Sequence, residues 1–275
     1  MNQPDEDGNG RFVVSGDVRL WTVVAGSGRR VLLVHGGPGL DHHFVAPLAS
    51  SLSTSFETWA PDLPGHGRSL REDGRTPGLR QLEDRLASWI DHLPFRFDAV
   101  IGHSLGAWLV REMLRHQELA AASVILISPP GSGPGARSSA FRRAETVAPT
   151  TSGDPDFRRE VRRHVEAECG GRLPAHARDL IDRARLTHVA RYRALIKNFH
   201  KHVASPPRPF TPPCPVLVIA GEEDRTTPVG QACVVADAIA GARLETLEGL
   251  GHYPFFQDPE RVADTIRAFL DTVEP

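Results

Sequence analysis

Short apolar runs, separated by glycine-rich turns and by stretches with helical spacing of apolar residues, recur through most of the 275-residue chain. Residues 12–15 and 18–25 are β-rich and divided by Gly16-Asp17, a hairpin signal. An apolar run at 29–34 ends in His35-Gly36-Gly37-Pro38-Gly39, and helical periodicity follows from about 41 to 52. Residues 56–60 read as a strand closed by a turn at 62–69, and 79–92 as a helix. Residues 98–101 and 123–127 read as buried strands, with a helix at 107–114 between them. Strands alternating with helices in this way predict an α/β fold built on a largely parallel sheet.

The alternation stops at residue 131. From there to 210 no strand pattern appears, only helical stretches at 136–147, 156–168, 175–186 and 189–203. Pro-Gly-rich sequence enters this block at 129–135 and proline-rich sequence leaves it at 206–213, borders that mark an insertion. The sheet pattern resumes with a strand at 216–220, a helix at 230–239, a strand at 243–247 and a helix at 259–273. The chain therefore divides into a flexible N-terminal tail (1–10), a core (11–130 with 211–275) and an inserted helical subdomain (131–210).

Gly102-His103-Ser104-Leu105-Gly106 joins the strand at 98–101 to the helix that follows. This is the G-x-S-x-G pattern of a nucleophile elbow, a tight strand-to-helix turn that presents a serine. The pattern alone is weak; its placement between strand and helix gives it weight. Glycine two residues to either side of the serine removes side chains that would collide where strand and helix cross.

A serine hydroxyl needs a base, and the base needs an orienting group. In open α/β sheets the working residues sit at the carboxyl ends of strands. The strand at 216–220 leads into Gly221-Glu222-Glu223-Asp224, and the strand at 243–247 into Gly249-Leu250-Gly251-His252. The order serine, acid, histidine then selects Ser104, Asp224 and His252 as catalytic residues. Glu222 or Glu223 stays open as an alternative acid. The backbone N–H of Leu105, at a helix start, is one expected oxyanion donor. The other is expected from the loop after the 29–34 strand, at Gly37. Gly36 lets the backbone approach substrate, and His42, Trp108, Tyr253 and Phe255 are candidate substrate contacts. Trp108 equally fits a core position.

Net charge is −2, which offers no argument for nucleic-acid binding, and no apolar run approaches the roughly 18–20 residues that span a bilayer. Three widely spaced cysteines, Cys169, Cys214 and Cys233, predict free thiols rather than a disulfide framework or a metal site. The acidic, polar N-terminus lacks the pattern of a signal peptide, so a cytoplasmic location is expected. Charge is unevenly spread. Residues 131–210 carry 16 of the 32 lysines and arginines but only 8 of the 34 acids. A positive subdomain would draw an anionic or carrier-bound acyl substrate, with Arg142, Arg143, Arg158, Arg159, Arg162 and Arg163 as candidates. The competing reading is solvated outer helix faces.

The glycine loop at 35–39, the turn at 62–69, the elbow at 102–106, Asp224 and His252 stand in an order and spacing that resemble the α/β-hydrolase superfamily. The resemblance covers essentially the whole chain after the tail. It implies an eight-stranded, mostly parallel sheet with helices on both faces and a helical cap after the sixth strand. It also implies a serine hydrolase that needs no metal or other cofactor and acts on a small-molecule ester, thioester, lactone or amide. Serine at 104 argues against the carboxylate-nucleophile branches, haloalkane dehalogenases and epoxide hydrolases. The 35–43 segment is similar to proline iminopeptidase-like members, although Leu105 and the Asp62-Leu63-Pro64-Gly65 turn depart from their pattern. A C–C bond hydrolase of a keto-acid and a non-catalytic receptor on the same fold are further readings.

Overall fold

The computed structural model describes residues 10–37, 39–70, 77–131, 155–171, 173–186, 199 and 206–273. Eight strands form one sheet: β1 (Gly10–Ser15), β2 (Val18–Ala25), β3 (Arg30–Val34), β4 (Glu57–Pro61), β5 (Ala99–His103), β6 (Val124–Ile127), β7 (Val216–Gly221) and β8 (Arg243–Leu247). Their spatial order is β1-β2-β4-β3-β5-β6-β7-β8. β2 runs antiparallel to both neighbours and every other pairing is parallel, so the sheet is mostly parallel as expected.

The chain leaves β3 toward β4 on one side and returns as β5 on the other. This reversal opens a crevice at the carboxyl ends of β3 and β5. In-register pairing of Val34 with Gly102 sets the His35–Gly36–Gly37 loop beside the elbow.

Alternation along the strands divides the core into two layers. Val31, Leu33, Ala99, Ile101, Ile125, Leu217 and Ile219 face a layer that includes α1 (Ala46–Leu52) and the last helix, α8 (Pro259–Leu270). Leu32, Val34, Val100, Leu126, Val216 and Val218 face the other layer, with α2 (Leu79–Asp91), α3 (Leu105–Arg115) and α6 (Val229–Asp237). All the strand residues just named are within 2% of complete burial, which is why the central strands read as unbroken apolar runs.

One expected element is corrected. The helical pattern at 41–52 is two pieces, a 3-10 turn over His42–Phe44 and then α1. Pro47 has no N–H to continue a helix from the preceding turn, so it sits in the first turn of a new one. A single helical turn, α7 (Pro254–Gln257), follows His252 and was not legible as a separate element.

Between β6 and β7 lie α4 (Pro155–Glu168) and α5 (Ala175–Arg183), close to the helices expected at 156–168 and 175–186. The expected helix at 136–147, and that at 189–203 apart from Phe199, lie outside the described residues. Both described helices approach the carboxyl end of the sheet. The Arg185 N–H donates to Asp41 Oδ2 (2.6 Å), and the Glu168 carbonyl accepts the His252 N–H (3.0 Å). Among the described residues, no helix is long and apolar enough to cross a membrane.

Candidate active site

Ser104 lies between the last residue of β5 and the first of α3, at φ 51° and ψ −114°. A non-glycine residue there carries about 1–3 kcal/mol of strain that the surroundings must over-determine. The surroundings are tight. A Cβ on Gly102 would lie 2.5 Å from the Gly106 carbonyl oxygen, and one on Gly106 would lie 2.2 Å from that of Val34. Only glycine on both sides allows the turn to close.

His252 follows β8 and is buried. Its Nε2 is 3.1 Å from Ser104 Oγ, and its Nδ1 is 2.9 Å from Asp224 Oδ2. The Nδ1 proton donates to the carboxylate, which leaves Nε2 of the neutral ring as acceptor for the serine hydroxyl. Asp224 Oδ1 accepts the backbone N–H groups of Thr226 and Thr227, both at 2.8 Å, and Oδ2 accepts the Thr227 hydroxyl at 2.8 Å. Glu222 and Glu223 are exposed, so Asp224 is the acid that meets His252.

Burial disfavours the charged form of each partner, yet their mutual attraction wins. His252 is raised above its ordinary value, and Asp224 is held below its own by His252 and the Thr227 bonds.

The remaining expected site residues fall into two groups. Gly37 adopts φ 136°, a region open to glycine, and a Cβ on Gly36 would lie 2.7 Å from His103 Nδ1. Leu105 is the first residue of α3, where backbone N–H groups have no partner within the helix. Gly36 and Leu105 lie against or within the elbow, and Gly37 follows Gly36 in the neighbouring loop.

His42, Trp108, Tyr253 and Phe255 are buried. His42 Nδ1 is 2.7 Å from Asp62 Oδ1, and Trp108 stands edge-on to Phe199. Tyr253 and Phe255 pack against the His103 ring at 4.9 Å each. Arg158 donates to the carbonyls of Ile181, Asp182 and Ala184 at the end of α5, and Arg162 pairs with Asp182. Arg159 and Arg163 are exposed, and Arg142 and Arg143 lie outside the described residues.

Three further contacts shape the site, and two of them, at Thr227 and Glu168, had no sequence signal. His103 Nε2 donates to the His252 carbonyl at 2.8 Å, Thr227 holds Asp224, and Glu168 accepts from the His252 N–H. Each contact joins residues distant in the chain or hidden inside a turn. His35, in contrast, is a loop-shaping residue as its glycine setting suggests. It accepts the Leu63 N–H at Nε2 (3.0 Å) and donates from Nδ1 to the Gly36 carbonyl (2.7 Å).

Asp41, His42 and His43 bring potential metal-ligand atoms within 4.8 Å of one another. The imidazole Nδ1 atoms already meet carboxylates, His42 with Asp62 and His43 with Asp41 at 3.1 Å, so the cluster is satisfied by internal hydrogen bonds.

This fold and site define a class of protein, and sequence comparison agrees: the chain belongs to the alpha/beta hydrolase family, whose model matches residues 31–265. An uncharacterised protein of Mycobacterium tuberculosis is 30% identical over 92% of this chain and 78% of its own length. The pimeloyl-[acyl-carrier protein] methyl ester esterase of Chromobacterium violaceum is 26% identical over 94% of this chain and 99% of its own. In structure, the chain is similar to 2-hydroxy-6-oxo-6-phenylhexa-2,4-dienoate hydrolase from Rhodococcus sp. strain RHA1. There the TM-score is 0.77 at 20% identity, covering 96% of this chain and 98% of that one.

Proposed function

We propose that this protein is a serine hydrolase that cleaves a small ester, thioester, lactone or amide through an acyl-enzyme on Ser104. The observation that carries the reading is the continuous buried chain Ser104 Oγ, His252 Nε2, His252 Nδ1, Asp224 Oδ2, with links of 3.1 and 2.9 Å, starting from a strained elbow. His252 takes the Ser104 proton as Oγ attacks the carbonyl carbon. The charged imidazole is stabilised by Asp224, and the proton passes to the leaving alcohol, thiol or amine. Water, activated by the same His252, then attacks the acyl carbon and releases the acid and Ser104. The N–H groups of Leu105 and Gly37 receive the developing oxyanion, and losing one such donor costs about 3–4 kcal/mol of transition-state stabilisation.

Residues 131–210 act as the lid over this site in our reading. The full-length likeness to an esterase of a carrier-bound methyl ester supports an acyl substrate presented by a carrier.

Labelling with a fluorophosphonate probe tests the reaction class. Covalent capture at Ser104, abolished in Ser104→Ala together with an approximately 10⁶-fold fall in ester turnover, is the expected result. An unlabelled Ser104 would sink the proposal. Release from proline anilide but not from aryl or methyl esters would move the protein to the aminopeptidases. Cleavage of a dienoic keto-acid alone would make it a C–C bond hydrolase.

A further inference from the structure

Glu168 is the last residue of α4, and its carboxylate is buried although it belongs to the segment between β6 and β7 rather than to the sheet. Two parts of it reach the site from opposite sides of the chain. Its backbone carbonyl accepts the His252 N–H at 3.0 Å. A Cβ on Gly251 would lie 2.2 Å from that carbonyl oxygen, so the residue before His252 must be glycine for the contact to form. Its side-chain Oε1 accepts the Thr226 hydroxyl and lies 3.1 Å from His164 Nε2, one turn earlier in α4. Thr226 in turn donates its N–H to Asp224. Glu168 Oε2 is buried with no hydrogen-bond partner among the described residues. A buried carboxylate with one oxygen unpartnered is expensive unless its charge is put to use.

We propose that Glu168 is a positioning residue for the His252–Asp224 pair: its carbonyl fixes the His252 backbone, its carboxylate fixes the Asp224 loop through Thr226, and its charge supports the imidazolium. The inference rests on the hydrolase reading for its role in turnover. Its structural content, a second negative charge acting on His252, stands without it. The His252 peptide is then held at both ends, with Glu168 on its N–H and His103 on its carbonyl.

Among the described residues, the charged and titratable groups around His252 are Asp224 from the loop after β7, Glu168 and His164 from α4, His103 from β5, and Tyr253, whose ring lies 5.1 Å away. Burial pushes His252 down, while Asp224 first and Glu168 second raise it to a net value above its ordinary one. Burial also pushes His164 down, and Glu168 outweighs that effect. His103 is buried and held down to about 3, so it stays neutral. His164 and His252 repel when both carry a proton, so the two members of the α4 pair act on His252 with opposite sign.

The test is the pH dependence of His252 in the full chain, read two ways. The acid limb of kcat/KM is measured on an aryl ester. The imidazole titration is followed by NMR, with the His252 signal assigned by its loss in His252→Gln. Glu168→Gln keeps an acceptor for Thr226 but removes the charge, and is expected to move the His252 titration down by roughly half a unit to one unit. Activity would then persist to lower pH. His164→Gln removes the opposing positive charge and is expected to move it up.

Glu168→Ala should lower kcat about tenfold or more with KM nearly constant, since small misplacements of a catalytic group cost that much. Glu168→Asp should recover part of the loss. If both glutamine variants leave the titration unmoved, or move it in the same direction, the inference is overturned. NMR shifts of opposite sign in a protein that neither turns over esters nor labels at Ser104 would uphold the electrostatic link and reject the hydrolase reading instead.

Discussion

Ser104 holds a backbone conformation that an ordinary residue avoids, and the rest of the elbow exists to keep it there. Ser104→Gly relieves the conformational strain at the loss of one side-chain contact, that of Oγ with His252 Nε2. It should raise the free energy of urea unfolding by about 1 kcal/mol while abolishing turnover and labelling. A variant no more stable than the parent would show that the strain at φ 51° is absent in solution.

At this scale the sequence was informative wherever chemistry coincided with a strand end. Ser104, Asp224 and His252 each stand at such an end, whereas sequence left Glu222, Glu223 and Asp224 as alternatives, of which only Asp224 is buried and meets His252. Thr227 and Glu168 were invisible. A threonine in a turn or a glutamate at a helix end carries no mark of what lies across the fold from it.

Elements tell a similar story with different gaps. The sheet strands were legible because central ones such as β3, β5, β6 and β7 are buried on both faces and read as apolar runs. The 3-10 turn before α1 was hidden because helical spacing of apolar residues cannot distinguish one helix from two turns in series. The role of the arginines in α4 was also hidden. Arg158 spends its guanidinium on the carbonyls that end α5, a job set by the angle between two helices. Arg158→Ala should leave those carbonyls uncapped, at a cost of about 1–3 kcal/mol. Because α5 packs on the His42–Phe44 turn, loosening it should speed limited proteolysis near residues 184–186. Unchanged cleavage there would assign the capping to water instead. The exposed Arg159 and Arg163 make poor candidates for drawing an anionic substrate inward.

For the whole molecule, strand order was beyond local reading. The pattern predicts a mostly parallel sheet, but the placing of β4 outside β3, and of β2 antiparallel beside it, is decided by pairings between residues tens of positions apart. Whole-molecule stability carries a signature of its own in acid. Burial lowers His66 to about 4 and His103 to about 3, and lowers His35 as well. His66 and His103 stay neutral at pH 5 in the folded state, whereas the unfolded chain takes up a proton near pH 6.5 at each. Stability is therefore lost as pH falls from about 6.5 toward those folded values, by about 2 kcal/mol for each of His66 and His103 at pH 5.

His252 works the other way. Its raised value contributes stability that is complete below about 6.5 and fades as pH rises through the folded value. Urea unfolding at pH 7 and pH 5 should show the net loss. His66→Asn, which keeps a donor for the Pro64 carbonyl, should remove about 2 kcal/mol of it. A pH difference identical to that of the parent would mean that His66 is charged in the fold.

The two glycines flanking Ser104 separate what can change from what cannot. Their α-carbons press against carbonyl oxygens of α3 and β3, so no larger residue fits at 102 or 106, whereas the side chain at 104 extends from a turn whose shape it does not determine. In the proposed reading, the nucleophile is the replaceable part of the turn. If Ser104 attacks as proposed, a substitution at 104 would change the attacking atom while the flanking glycines keep the shape of the turn that presents it.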